Sequence, residues 1–127
     1  MDIDIPKQVE YWRSGALDSL EAAEILIDKD KRLEGLFFCH LAIEKALKAH
    51  AVKGTRDVPP RTHNLQRLVS VARLDLKDSQ FDFMGNMMEF QIEGRYPDMV
   101  SKPPDKRACQ RYLKKTKDMV EWLNGLL

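Results

Sequence analysis

The stretch "LFFCHLAIEKALKAHAVKG", residues 36–54, decides the fold class, because its apolar side chains recur with the period of an α-helix. The residues that form its apolar face are Leu36, Phe37, Leu41, Ile43, Leu47 and Ala51. This pattern predicts a helix from about Leu33 to Lys53, with Gly54 in the position of a C-cap glycine. The following "TRDVPP" cannot continue the helix, because each proline removes a backbone donor and restricts the residue before it.

Helical periodicity extends over the rest of the chain, and no segment shows a convincing strand pattern. The other predicted helices span about Pro6 to Asp28 and roughly Asn64 to Arg73, and two more begin near Ser79 and near Asp105. These patterns predict an all-α fold, a compact up-and-down bundle of four to five helices. With 127 residues, the chain is expected to form one domain over residues 1–127.

The composition is typical of a soluble globular protein, with 43% hydrophobic and 32% charged residues. No apolar run is long enough to span a bilayer, and the acidic start "MDIDIPKQ" does not match a signal peptide. Cys39 and Cys109 lie within helical patterns and indicate no disulfide framework. We therefore expect a cytoplasmic protein with no membrane partner.

The net charge is only +1, but its distribution along the chain is uneven. Residues 1–30 carry three basic and eight acidic side chains, residues 53–73 carry five and one, and residues 102–118 carry seven and two. Basic clusters can indicate a nucleic-acid or phosphate partner. An acidic first helix that packs beside a basic last helix explains the same pattern, and charge alone favours this packing interpretation.

His40, Glu44 and Lys48 recur at four-residue steps and therefore share one face of the predicted second helix. Two ligands at this spacing could begin a zinc site, but no HExxH pattern or cysteine cluster completes it. The simpler interpretation is a surface Glu44–Lys48 pair worth a few tenths of a kcal/mol, roughly, with His40 at the edge of the core. No nucleophile motif or glycine-rich phosphate loop occurs, and we predict neither a metal nor a cofactor.

His63 lies between a proline-rich loop and a predicted helix, with Arg56, Arg61 and Arg67 nearby in sequence. A histidine can move protons near neutral pH, and an arginine can hold a phosphate by bidentate hydrogen bonds. A metal-independent ribonuclease requires both proton transfer and phosphate binding, but helix capping explains the presence of the same residues. Because Pro59 and Pro60 leave few backbone donors to anchor the loop, we predict a mainly positional role for His63, which fixes the loop on the third helix.

Several segments together resemble the HEPN domain family of prokaryotes. The matching segments are "FFCHLAIEKALKAH", the proline loop, "THNLQRLV" and "GRYPD", in the family's order and spacing, from about Ala16 to the last helix. The resemblance implies a compact all-α bundle, commonly a homodimer and often encoded beside a minimal nucleotidyltransferase. The family name implies nucleotide binding. Many members are metal-independent ribonucleases of toxin–antitoxin and defence systems, which use an arginine and a later histidine with four to six residues between them.

The chain departs from that catalytic pattern, because no histidine follows Arg95 in the stretch through Lys102. Arg56 and His63 have the required spacing, but they lie in the proline loop rather than in the late helical segment, so we interpret the match as coincidental. A ribonuclease built on Arg95 would lack its proton-transfer group.

We therefore expect a noncatalytic HEPN-like binding module for a nucleotide or an RNA phosphate, with a nucleotidyltransferase as a possible partner protein. The residues expected to face the ligand are Lys48, His63, Arg95 and Tyr96, which offer cations for phosphate and an aromatic face for a base. The alternatives are a toxin-type ribonuclease that uses His63 and Arg95, or a protein-interaction scaffold. A homodimer is also expected, because "QFDFMGNMMEF", residues 80–90, carries more apolar surface than one bundle face requires.

Overall fold

The computed structural model describes residues 3–91 and 102–127 and contains only helices in those ranges. The helices are α1 (Ile5–Asp28), α2 (Arg32–Thr55), α3 (Leu65–Ala72), α4 (Asp78–Met87), a 3-10 helix (Met88–Phe90) and α5 (Lys106–Gly125). The predicted all-α fold class is confirmed, with five α-helices in the described residues.

Local side chains start three of these helices. The carboxylates of Asp4 and Asp105 and the amide oxygen of Asn64 each accept a hydrogen bond from a backbone N–H three residues later. The prediction that Gly54 caps α2 is wrong, because the helix continues through Thr55 and ends at Arg56, which adopts the left-handed conformation with φ of 59°. A Cβ at Gly54 would lie 3.6 Å from the carbonyl oxygen of Ala72, an ordinary van der Waals distance, so the neighbouring α3 does not require glycine there.

Helix α2 is the centre of the bundle and contacts α1, α3, α4, α5 and the 3-10 helix. One apolar face was predicted for it, but buried residues occur on all of its sides, and those outside the predicted face include Cys39, Ala42 and Ala49. A helix that other helices surround loses the polar stripe that marks a surface helix. Small alanine side chains allow these neighbours to approach closely.

The helices around α2 have defined directions. The short connection between α1 and α2 makes them an antiparallel pair. Helix α5 runs in the same direction as α2, because Arg32 donates to the carbonyl of Pro104 (3.0 Å) at one end and His50 Nε2 donates to the carbonyl of Leu123 (2.6 Å) at the other. Burial lowers the pKa of His50 and so favours its neutral form, although the carbonyl of Leu123 opposes this shift.

The apolar residues of α4 and the 3-10 helix contribute mainly to the chain's own core. Phe83, Met84, Met87 and Phe90 are buried, whereas Phe81 is 37% exposed. The excess of apolar surface from which self-association was predicted is therefore small, and the homodimer remains a prediction based on family resemblance. Both cysteines are buried and free.

Helices α1 and α5 pack against each other, as the charge pattern suggested. However, no ion pair joins these two helices in the described ranges. Arg13 pairs with Glu10 within α1, and Lys114 pairs with Asp118 within α5. No helix in this part of the chain is long and apolar enough to cross a membrane.

Candidate functional site around Glu44 and His63

The site is organised by the carboxylate of Glu44, which lies in the middle of α2 and is only 3% exposed. One oxygen, Oε2, accepts a hydrogen bond from Lys48 Nζ at 3.0 Å. The other oxygen, Oε1, accepts one from His63 Nδ1 at 2.9 Å. Both oxygens therefore have a donor, as a buried carboxylate requires.

The Glu44–Lys48 pair was predicted at the surface, and this part of the prediction is wrong. Lys48 is 8% exposed, and its ammonium group lies 5.2 Å from the centroid of the Trp12 ring on α1. A cation in this position is attracted by the negative face of the indole ring. The charge of Lys48 is thus compensated by Glu44 and Trp12, two groups of the chain itself.

His63 fastens the proline loop to the central helix. Its side chain donates to Glu44, and its backbone carbonyl accepts a hydrogen bond from His40 Nε2 at 3.1 Å. The loop is therefore fixed on α2, not on α3 as predicted from the sequence. The start of α3 is secured separately, by the Asn64 cap and by Thr62 Oγ1, which accepts from the Asn64 backbone N–H at 3.1 Å.

The contact with Glu44 also fixes the tautomer of His63. An ionised carboxylate can only accept hydrogen bonds, so His63 Nδ1 carries a proton in both the neutral and the charged ring. Nε2 is then an acceptor in the neutral ring and a donor in the charged ring. The His63 side chain is 49% exposed, so part of the ring lies at the surface of the protein.

His40 supports the site from the core rather than from the core edge, where the sequence pattern placed it. It is fully buried, and this burial lowers the pKa of its ring although Glu44 and the carbonyl of His63 oppose the shift. The neutral ring donates from Nε2, which leaves an acceptor lone pair on Nδ1. That atom lies 3.8 Å from Glu44 Oε1 and has no hydrogen-bond partner within residues 3–91 and 102–127.

Aromatic and basic side chains extend the site. Tyr11 is 65% exposed and packs edge-on against Trp12, with ring centroids 5.0 Å apart. Arg56, Arg61 and Arg67 are exposed, and none of them has a carboxylate within 4.0 Å in the described parts of the chain. The loop and the first turn of α3 therefore present uncompensated positive charge.

The structure brings together two of the four side chains that were predicted to face a ligand, because Lys48 and His63 share the carboxylate of Glu44. Arg95 and Tyr96 lie outside the described residues. Sequence reasoning missed the central role of Glu44 and the contribution of Trp12. The four-residue spacing of His40, Glu44 and Lys48 was a usable signal for Glu44, whereas nothing in the sequence connects Trp12 with Lys48.

The same cluster offers little to a metal ion. Across the two described ranges, no three His, Cys, Asp or Glu side chains come together as a metal ion would require. Glu44 is instead occupied by two donors from the protein itself.

The fold and the site define an all-α bundle whose buried central carboxylate holds a surface histidine. The model of the HEPN domain family matches residues 9–126, and the chain belongs to this family. A similar solved structure is that of TT1696 from Thermus thermophilus, with a TM-score of 0.78 and 18% sequence identity over 94% of this chain and 98% of that one. At this identity the similarity shows the fold alone. No curated protein matches the chain.

Proposed function

We propose that residues 1–127 act as one cytoplasmic HEPN-type module that binds the phosphate of a nucleotide or of RNA at the surface around His63. In this proposal the module is a homodimer and works with a minimal nucleotidyltransferase. The observation that carries the proposal is the hydrogen bond from His63 Nδ1 to the buried Glu44. A noncatalytic role agrees with the absence of a histidine after Arg95 through Lys102.

The energetic argument concerns Glu44. Removing a carboxylate from water has an effective cost of several kcal/mol, roughly, and an apolar contact could anchor the loop without this cost. What the ionic contact adds is a histidine ring with a fixed tautomer and orientation at the surface. A fixed ring loses less conformational entropy when it binds a ligand than a freely rotating one.

Charge supports an anionic ligand. Arg61 lies two residues before His63 and has no carboxylate partner in the described ranges, so its guanidinium group can contribute to phosphate binding. Lys48 acts mainly by holding Glu44 in place. Arg95 and Tyr96 are proposed, from the sequence, as a further cation and as an aromatic face for the base.

The test is calorimetric titration of the purified protein with ATP, GTP and a short single-stranded RNA. His63→Asn should weaken binding of the best of these probes at least about tenfold, which corresponds to about 1.4 kcal/mol. The control is Arg73→Gln, which removes an exposed cation at the far end of α3 and should change the affinity less than about threefold. If none of the probes binds, or both variants bind as the wild type does, the proposed ligand site is wrong.

The proposed partner is tested separately, by purification of the tagged protein from its native host. Recovery of a nucleotidyltransferase at a stoichiometric level is expected. Recovery of unrelated proteins, together with no binding of nucleotide or RNA, would favour the protein-interaction scaffold instead.

A second candidate function is metal-independent RNA cleavage, and the orientation of His63 favours it. A carboxylate that accepts from Nδ1 is the arrangement that orients a histidine as a general base. In this candidate function, Arg95 would stabilise the phosphate. Cleavage of RNA by the wild type in the presence of a chelator, together with its loss in folded His63→Asn, would replace the noncatalytic proposal.

A further inference from the structure

Helix α5 carries a row of cations on its exposed face. Arg107, Arg111 and Lys115 follow each other at four-residue steps and are all exposed, so they form a line of about 12 Å along the helix. The neighbouring Lys114 is paired with Asp118 at 2.7 Å. The three side chains of this row, in contrast, have no carboxylate within 4.0 Å in residues 3–91 and 102–127.

The acidic residues of α1 do not neutralise the row. Although α1 and α5 pack together, their polar groups meet through a hydrogen bond from Asn124 to the carbonyl of Arg13, at 3.4 Å, and not through an ion pair in the described ranges. Arg13 itself pairs with Glu10 on its own helix, at 2.7 Å. The positive charge of α5 thus faces solvent and is available to a partner with negative charge.

An aromatic groove runs beside the row, between α4 and α5. It consists of two cavities of about 430 and 250 Å³ that share Phe83 and Lys115 in their walls. Trp122 lines the larger cavity, and Arg111 and Tyr112 line the smaller one. Lys115 Nζ lies 5.8 Å from the centroid of the Phe83 ring, so Lys115 and Arg111 form one edge of the groove, and Arg107 continues their line along α5.

We propose that the row and the groove together form a binding surface for single-stranded RNA. Phosphates would lie along Arg107, Arg111 and Lys115. Unpaired bases would enter the groove beside Trp122 and Tyr112, whose rings are only partly buried, whereas Phe83 forms the buried floor between the two cavities. Cations next to exposed aromatic rings are the combination by which proteins hold single strands, because the rings stack on bases and the cations neutralise phosphates. This inference goes beyond the proposed function, since it assigns a second surface built from residues other than those around His63.

A single strand fits this surface better than two other polyanionic partners. In a duplex the bases are paired and stacked, so the rings of the groove would have no bases to contact. An acidic protein segment would pair with the cations, but it would leave the side-chain amide of Asn86 in the groove wall without a specific role. That amide can donate to and accept from base edges.

The test is fluorescence anisotropy of the full chain with a labelled oligouridine of about 12 nucleotides, between about 50 and 200 mM salt. The row variant is Arg107→Gln/Arg111→Gln/Lys115→Gln. The matched control is Lys7→Gln/Lys29→Gln/Arg73→Gln, which removes three exposed cations elsewhere and gives the same net charge. The row variant should bind at least about tenfold more weakly, and its salt slope should fall by about 2, as expected for three phosphate contacts on a single strand. The control should retain wild-type affinity within about threefold.

The groove is tested with Trp122→Leu and with inorganic polyphosphate as a competitor that has charge but no bases. Trp122→Leu should weaken oligouridine binding about tenfold and leave polyphosphate binding unchanged. Equal loss in the row and control variants, no effect of Trp122→Leu, or preference for a duplex would overturn the proposal. The proposal would also be overturned if the wild type binds no RNA and the row variant changes the sedimentation of the protein. That result would mean that the row contacts a protein.

The same variants separate this inference from the proposed function. Binding of ATP or GTP at the His63 surface should be unchanged in the row variant. If the wild type binds no mononucleotide but the row variant alone loses RNA binding, the inference stands and the His63 site fails. If mononucleotide binding depends on His63 and no oligouridine binds, the inference fails and the proposed function stands.

Discussion

Replacing Glu44 with glutamine tests the buried ionic cluster directly. The substitution keeps the shape of the side chain and removes its charge, so the ammonium group of Lys48, in a residue 8% exposed, loses its anionic partner. Removing one member of a buried ion pair typically costs about 3–5 kcal/mol. Because Lys48 retains the Trp12 ring and limited access to water, we expect the lower end, about 3 kcal/mol.

This free energy can be converted into a shift of the melting temperature. An unfolding entropy of about 2.1 cal/mol/K per residue, applied to the 127 residues of the chain, makes about 3 kcal/mol equivalent to a decrease of about 11 °C. Thermal unfolding followed by far-ultraviolet circular dichroism measures this shift. The control is Glu21→Gln on the exposed face of α1, which should change the stability by less than about 0.5 kcal/mol.

The double variant Glu44→Leu/Lys48→Met completes the test. It removes both charges and fills the space with apolar side chains, so its stability should lie within about 1 kcal/mol of the wild type. The reasoning is refuted if Glu44→Gln lowers the melting temperature by less than about 3 °C, or if the double variant is as unstable as the single one. Either result would mean that water still solvates the charges of this cluster.

Three further predictions concern stability. Gly35→Ala should destabilise the protein by about 1–3 kcal/mol, because a Cβ there would lie 2.5 Å from Ile27 Cγ1. Urea unfolding measures this loss. The control is Gly125→Ala, whose Cβ meets no atom within 4 Å. Arg56→Gly should stabilise by up to about 1 kcal/mol, since Arg56 has φ of 59° and glycine adopts this conformation without steric cost; an unchanged urea midpoint would contradict this. Burial lowers the pKa of His40, so the unfolded state binds more protons than the folded state as the pH falls below about 6.5. The free energy of unfolding should therefore decrease from about pH 7 to about pH 5. His40→Gln should make this decrease smaller.

The sequence predicted the features of the fold that depend on local chemistry. The helical period of the apolar residues identified each α-helix that the structure describes. Asp105 was recognised as an N-cap because its effect needs only the three residues that follow. The end of α2 was misplaced by two residues because glycine is the usual left-handed residue at a helix end, whereas here Arg56 adopts this conformation. A non-glycine residue with positive φ cannot be recognised from residue type alone.

Burial around α2 limited the prediction of the site. The Glu44–Lys48 spacing is the same in an exposed surface pair and in a buried one, and only the packing of α1 and the proline loop around α2 decides which it is. Trp12 and His63 reach this pair from sequence positions 32 residues before Glu44 and 19 after it. Chemical type and spacing could therefore suggest Lys48 and His63 as candidates, but not that Glu44 joins them.

The role of Lys48 can be resolved by a thermodynamic cycle in ligand binding. If Lys48 acts only by holding Glu44, and Glu44 only by orienting His63, then Glu44→Leu/Lys48→Met should weaken nucleotide or RNA binding at least about tenfold in the wild-type background. In the His63→Asn background the same two substitutions should cause no further loss, because the group that they orient is already absent. Both backgrounds are compared by calorimetric titration, after circular dichroism has shown that each variant is folded. An equal further loss in the His63→Asn background would show that Lys48 contacts the ligand directly, as its sequence pattern suggested, and that orientation of His63 is not its function.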